Sequence, residues 1–239
     1  MMHIEYLPSI DSTNSELMRR AAAGDYSAVC LVAQEQTAGR GRLGRAWLSD
    51  EHSLTFSLGM PLAPQDWSGL SLLVGLSIAQ SLHPRIQIKW PNDLWVDSQK
   101  LAGILIETTA ITYAPATERY TVIGIGINLK APPTAQAQAS LDEKSAPIGL
   151  HELLPKITAN ATLERILQPL IDDIHHFAEH GWKPYSTSFS KRDALQGLSI
   201  KVSSGMTGKY VGISDTGGLM LQTDTGVQTI ISHEVSVCF

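Results

Sequence analysis

In GRGRLGRAW, residues 39–47, glycines at 39, 41 and 44 are interleaved with arginines at 40, 42 and 45. Glycine at this density weakens helix and strand alike, so the stretch reads as a loop between the elements on either side. Glycines let backbone N–H groups come close to an anion. Arginines offer forked donors that match phosphate oxygens. The whole chain has a formal charge of -5, so this loop is a concentrated local reversal of sign. A loop of this kind is built to hold something negative, and a nucleotide phosphate is its natural occupant.

Hydrophobic residues make up 43% of the 239, enough to bury a substantial core beside a small second domain. The N-terminus, MMHIEYLPSIDST, has neither a basic region nor a long apolar stretch, which argues against a signal peptide. The apolar run 70–82 is too short for a membrane span. Cys30 and Cys238 read as free thiols of a reducing compartment, so cytoplasm is the expected location. Neither His151-Glu152 nor His233-Glu234 has the second histidine of a zinc helix, and His175-His176 reads as helix surface.

Thr13 and Glu16 have capping-box spacing, which predicts a helix starting there, with Leu17, Met18 and Ala21 inward and Gly24 closing it. Strands are expected at 28–36, 53–60, 86–90, 101–107 and 120–129, and a helix at 66–82. Residues 130–147, rich in Pro and Ala, read as a mobile loop. A second long helix is expected over 161–180, with Leu163, Ile166, Leu167, Leu170, Ile171, Ile174 and Phe177 as its apolar face. Pro169 inside it predicts a kink or a split. From residue 193 the character changes to short strands with glycine turns, which suggests a small β-barrel of SH3-like size. The expected division is therefore 1–192 and 193–239.

Strand alternation separates two faces over 120–128: Thr121, Ile123, Ile125 and Ile127 on one, Tyr120, Val122, Gly124, Gly126 and Asn128 on the other. Paired glycines in a strand interior mark a place where a ligand lies against the backbone, with Asn128 as a polar group at the end of the slot. Residues 53–60 divide similarly, into Leu54, Phe56, Leu58, Met60 and the small polar set Ser53, Thr55, Ser57, Gly59. The two small-residue faces form either a shallow ligand groove or an exposed polar surface with a bulge. GIGINL lacks the third glycine of a dinucleotide fingerprint. In KWPNDLWV, Pro91 ends a strand and Asn92-Asp93 begins a turn, with a hairpin tip at 97–99 leading back through Lys100. Lys100 stands at the mouth of an apolar strand beside Ala102 and Gly103, either reaching a buried anion or solvated at a hairpin end.

GRGRLGRAW followed by KWPNDLWVDSQKLAGILIE, with STN upstream and GIGIN downstream, resembles the biotin–protein ligases (holocarboxylase synthetases) over nearly the whole chain. The resemblance implies an α+β fold: a mixed-sheet biotin/lipoate-ligase-like catalytic domain with helices on one face, plus the small SH3-like barrel. It implies the members that only ligate, because the sequence starts at the equivalent of the catalytic domain, without the winged helix-turn-helix of the repressor members. The implied activity is ATP- and Mg²⁺-dependent conversion of biotin to biotinyl-5′-adenylate. Transfer follows, to one lysine of a biotin carboxyl carrier domain of acetyl-CoA carboxylase or a related carboxylase.

Residue by residue, the resemblance places Ser12, Thr13, Asn14 and Gln36 on biotin, with Arg40, Gly41 and Arg42 covering the ligand. Arg42 and Arg45 meet carboxylate or phosphates, with Gly39 beside them. Trp47, Asn92 and Asn128 serve the nucleotide, Lys89 the pyrophosphate, and Asp93 a Mg²⁺ ion or a basic neighbour. Lys100, with Arg42, is the implied catalytic group. A fixed cation between biotin carboxylate and α-phosphate lowers the repulsion of two anions. The Arg/Gly loop is expected to be mobile without ligand and to order over the mixed anhydride, keeping water out. A homodimer by sheet extension is possible in this family; no nucleic-acid or membrane partner is expected. Two rivals share the biotin/lipoate theme: a lipoate-type ligase of the same fold, and a non-catalytic biotin-binding regulator. A third, a nucleic-acid module using Arg40, Arg42 and Arg45 as a phosphate clamp, conflicts with the acidic charge.

Overall fold

In chain order the strands are β1 (His3–Ile10), β2 (Val29–Gln36), β3 (Ser53–Leu62), β4 (Gln87–Lys89), β5 (Asp93–Val96), β6 (Gln99–Ala110), β7 (Arg119–Asn128), β8 (Ser199–Val202), β9 (Thr207–Ile213), β10 (Leu219–Thr223), β11 (Gly226–Ile230) and β12 (Val235–Val237). The helices are α1 (Thr13–Ala22), α2 (Leu70–Leu82), α3 (Ala159–His180) and α4 (Ser186–Ser190). The computed structural model describes residues 2–112, 114–132, 147–231 and 235–237, so the expected loop at 130–147 lies mostly outside the described residues. The chain forms two units, Met1–Pro64 with Gln99–Arg165, and Gln65–Ser98 with Ile166–Phe239.

The first unit carries strands in the order β1-β2-β3-β7-β6. β1 and β2 run parallel and the other neighbours antiparallel. A parallel pair needs a crossover, and α1 supplies it between β1 and β2. β7 is central, with β3 on one side and β6 on the other, and all but its first residue are buried. Residues 122–127 accordingly carry only Val, Ile and Gly. Leu17 and Ala21 of α1 pack with Val29, Leu31, Tyr120 and Val122 into one core cluster, with Met18 against it. β1 was not expected from the sequence. It is a largely exposed edge strand carrying Pro8, and an edge is where a strand tolerates proline.

The start of α1 falls one residue earlier than the capping-box reading. Ser12 is the N-cap, and its Oγ accepts the Ser15 N–H at 3.3 Å. The Thr13 hydroxyl is thereby left for other partners. Gly24 does sit just past the end, with φ of 88°, as a closing glycine should.

In the second unit, α2 starts at Leu70, four residues later than expected. Gly69 precedes it with φ of 87°, and a Cβ there would fall 2.8 Å from the Trp182 side chain. α2 is buried almost all round, so no amphipathic stripe marks its limits. Of the kink or split expected at Pro169, the split does not occur, and α3 runs through it as one helix. Pro169 lies on the exposed face, where water can satisfy the carbonyl that loses its N–H partner. β8 to β12 form an antiparallel sheet in the order β11-β10-β9-β8-β12. The fold class is thus a mixed sheet with helical cover plus a small C-terminal antiparallel sheet. Near residue 193, Arg192 donates to the carbonyls of His83 and Ile86 at 2.9 and 3.0 Å, and Tyr210 Oη donates to the buried Asp193 carboxylate. Burial raises the Asp193 carboxyl pKa, while that phenol and the Leu195 N–H oppose the rise. Among the described residues no helix is long and apolar enough to cross a membrane.

Candidate active site

The polar face of β3 is buried rather than exposed, and it turns toward the start of α1. Ser57 is fully buried, and its Oγ lies 2.7 Å from Thr13 Oγ1 and 2.6 Å from Asn14 Oδ1. Thr13 presents both its N–H and its hydroxyl to Gln36 Oε1, at 2.8 and 3.1 Å. The side-chain oxygens of Thr13, Asn14, Gln36 and Ser57 share only two hydroxyl protons among them, those of Ser57 and Thr13. The cluster therefore has surplus acceptor capacity. A ligand carrying N–H donors is its chemical complement.

The helix start and two members of the cluster, Gln36 and Asn14, are held from behind. Asp11 accepts the Ser12 N–H at 2.7 Å and a bidentate pair of hydrogen bonds from Arg19 at 2.7 and 2.8 Å. The Arg19 guanidinium holds the Asp11 carboxyl down at about 2. The Gln36 N–H donates to Ser49 Oγ, which in turn contacts Thr55 Oγ1 at 2.9 Å. Asn14 Nδ2 donates to the Leu105 carbonyl at 3.3 Å and to Glu107 Oε2 at 2.9 Å.

The two glycines of β7 accommodate side chains of this same chain. A Cβ at Gly124 would lie 2.1 Å from Asn14 Oδ1, and one at Gly126 would lie 2.2 Å from Trp47 Cε2. Gly103 on β6 meets the same indole, with its Cβ position 3.2 Å from Trp47 Cζ3. A ligand was expected against these glycines; the structure places the Asn14 and Trp47 side chains there instead.

The Arg/Gly loop folds back on itself. Trp47 N–H donates to the Gly39 carbonyl at 2.8 Å, Gly41 N–H to the Arg45 carbonyl at 2.7 Å, and Arg40 bridges to Ala46. Residues Arg42–Gly44 make a short 3-10 turn at the tip. There Leu43 takes φ of 56° and is 77% exposed, an uncommon backbone state for a non-glycine residue. Gly39 is required: a Cβ would fall 2.5 Å from the Trp47 carbonyl oxygen.

Trp47 closes the loop, and its ring centroid lies 5.8 Å from Lys100 Nζ. Its Nε1 is buried and has no hydrogen-bond partner among the described residues. Lys100 lies near the start of β6. Its carbonyl accepts the Asn128 side-chain amide at 3.4 Å and the Ile148 N–H at 2.9 Å. The structure therefore places Ser12, Thr13, Asn14, Gln36, Gly39, Arg40, Trp47, Lys100 and Asn128 in the first unit, linked in two groups, Thr13–Asn14–Gln36–Ser57 at the start of α1 and Trp47–Lys100–Asn128 by β6 and β7, with Gly41, Arg42 and Arg45 on the loop. Lys89, Asn92 and Asp93 belong to the second unit. There Lys89 is buried, pairs in register with Asp93, and places Nζ 4.6 Å from the Trp95 ring. Glu107 was absent from the site expected from sequence, and Ser57 entered it only as part of a face read equally as a ligand groove or an exposed surface. The only sequence signals for them are an acid closing the apolar run LAGILIE and a serine on the small face of β3.

The first unit thus carries a hydrogen-bonded cluster at a helix start and an arginine loop closed by Trp47, whose ring lies beside Lys100. Residues 6–128 match the biotin/lipoate A/B protein ligase family, and residues 204–237 match the biotin protein ligase C-terminal domain. The chain is 31% identical to the bifunctional ligase/repressor BirA of Escherichia coli over 98% of its own length and 74% of that protein's. It is 30% identical to the biotin–[acetyl-CoA-carboxylase] ligase of Paracoccus denitrificans, covering 96% of this chain and 98% of that one. Its fold superposes with a TM-score of 0.82 on the biotin protein ligase of Aquifex aeolicus solved in complex with biotin and ATP, at 29% identity over 100% and 99% of the two chains. The chain belongs to the biotin/lipoate A/B protein ligase family, on its biotin-ligase branch.

Proposed function

We propose that this protein is a biotin–protein ligase that makes biotinyl-5′-adenylate from biotin and ATP and passes the biotinyl group to a lysine of a carboxylase's biotin carrier domain. The observation that carries the reading is the joint presence of the acceptor-rich Thr13–Ser57–Asn14–Gln36 cluster and Lys100 in one unit. The ureido group of biotin brings N–H donors to the cluster. Its carboxylate then points toward Lys100 and the loop arginines.

Lys100 lowers the repulsion between the attacking carboxylate and the α-phosphate. A lysine is a point charge able to serve oxygens of two different groups, whereas arginine forks suit phosphate alone. Arg42 and Arg45 hold the phosphates, and Arg42 assists the chemistry. Asn128, with its amide set by the Lys100 carbonyl, and Trp47, with a buried indole N–H to offer, serve the nucleotide. The Arg/Gly loop covers the mixed anhydride against water until the acceptor lysine arrives. Mg²⁺ accompanies ATP, held chiefly by phosphate oxygens as is usual for this ion. Residues 1–192 act as the catalytic domain and 193–239 as the accessory barrel. The protein works in the cytoplasm on a carrier domain, without nucleic-acid or membrane partners, and a homodimer by sheet extension is compatible with this reading.

The test is adenylate formation. The protein incubated with biotin, ATP and Mg²⁺ is expected to yield biotinyl-5′-adenylate and pyrophosphate, detected by mass spectrometry. Lipoate in place of biotin is expected to give little or no adenylate. Equal yields from lipoate would move the assignment to the lipoate branch, and no adenylate from either acid would refute it.

A further inference from the structure

Glu107 joins three separate pieces of the site with one carboxylate. It projects from β6, accepts Asn14 Nδ2 of α1 on Oε2 at 2.9 Å, and accepts Arg40 NH2 of the loop at 3.0 Å on Oε2 and 3.2 Å on Oε1. The same arginine donates from Nε to Ser15 Oγ at 3.1 Å, so its guanidinium is engaged with the first turn of α1 as well as with Glu107. This changes the expected role of Arg40. Its charge is directed to Glu107, and what it does for the ligand is to fix where the loop begins.

We infer that Glu107 is a positioning residue: it latches the Arg/Gly loop through Arg40 and, with the same carboxylate, aims Asn14 at the ligand. The inference rests on the biotin-ligase reading for its kinetic consequences but not for the latch itself. Glu107 and Arg40 side chains are 27% and 41% exposed, so the ion pair is partly screened by solvent. A half-exposed latch can open and close, which a loop that admits substrate and then retains an intermediate requires. A fully buried pair would resist opening, because breaking it strands a charge.

The chemistry of glutamine makes Glu107→Gln a selective probe. The amide oxygen can still accept from Asn14 Nδ2. The same oxygen still accepts from Arg40, but the amide nitrogen at the Oε1 position faces the guanidinium, donor against donor, and the attraction of opposite charges is gone, which weakens the latch. Glu107→Ala removes both functions, and Arg40→Gln removes the latch from the other side. Three readouts separate a latch from a general structural part. In ligand-free protein, Glu107→Gln is expected to speed amide hydrogen exchange at residues 39–47 while leaving β3 and β7 unchanged. In steady-state adenylation it is expected to raise KM for biotin by about tenfold, the weight of one partly screened charge-assisted hydrogen bond, with KM for ATP within about twofold. It is also expected to speed adenylate escape by about tenfold. Combining Glu107→Gln with Arg40→Gln is expected to add little to either alone, since both break the same ion pair.

Unchanged exchange at 39–47 in Glu107→Gln would overturn the latch, as would KM for both substrates rising together or additive effects of the two substitutions. If Glu107→Ala fails to fold, the isosteric Glu107→Gln still decides the matter. If wild-type protein makes no adenylate from biotin, the ligase reading fails, and exchange in ligand-free protein still answers whether Glu107 holds the loop.

Discussion

Gly124→Ala is the sharpest test of how the pocket is built. The new methyl would lie 2.1 Å from Asn14 Oδ1, 2.8 Å from Cγ and 3.1 Å from Nδ2. Asn14 is only 4% exposed and cannot move aside, because Ser57 holds its oxygen while Leu105 and Glu107 hold its nitrogen. Either the side chain is expelled or β7 and α1 separate. Overpacking of this kind costs about 1–3 kcal/mol, and each buried polar group left without its hydrogen bond adds about 1–3 kcal/mol. A total near 3 kcal/mol lowers the melting midpoint by about 6–12 °C for a chain of this size. The assay is thermal melting with and without biotin, run beside Asn14→Ala and the double variant. Removing the amide makes room for the methyl, so the double variant is expected to melt close to Asn14→Ala alone. Biotin is expected to stabilise neither Gly124→Ala nor the double variant. A midpoint for Gly124→Ala within about 1 °C of wild type would refute this packing, as would a double variant that falls by the sum of the singles.

Three further outcomes are expected. Lys100→Ala loses about a hundred- to a thousandfold in adenylate formation, the usual weight of one preorganised charge, while biotin still raises the melting midpoint; a rapid-quench assay of adenylate checks it. Asp11→Asn destabilises by about 1 kcal/mol or less, discounted because Asp11 and Arg19 are both roughly half exposed. The Asp11 carboxyl is held below its ordinary value of 3.8, at about 2, so its contribution is full above pH 3.8 and fades as pH falls toward 2. The gap between variant and wild type in urea midpoint is therefore expected at pH 6 and to shrink toward pH 2. Cys30 is buried in β2 with its thiol pushed up to about 12, so peptide mass mapping after treatment with a thiol reagent is expected to find it unlabelled until the protein unfolds.

Much of this architecture was legible because its signals are local. The glycines at 39, 41 and 44 announce a loop, and alternation over 53–60 and 120–128 announces strands; β3 and β7 both form there. What alternation could not reveal is what covers a face. Ser53, Thr55 and Ser57 read equally as a ligand groove or a solvent-facing surface; all three are buried, and Thr55 and Ser57 are satisfied by partners distant in sequence. Glu107 was missed for the same reason. Its partners are 67 and 93 residues away, and an acid at the end of a strand carries no local mark of that. β1 escaped notice because an edge strand with Pro8 needs neither strong alternation nor burial. Pro169 does not split α3, because the rule against interior proline has less force on a wet helix face.

The most direct measurement of function is the intact mass of a biotin carboxyl carrier domain after incubation with this protein, biotin, ATP and Mg²⁺. A gain of one biotinyl group, absent without ATP and absent when the carrier's acceptor lysine is replaced, is the expected result. Adenylate accumulating over repeated carrier domains with no mass gain in any would contradict protein ligation and leave an enzyme that activates biotin without transferring it.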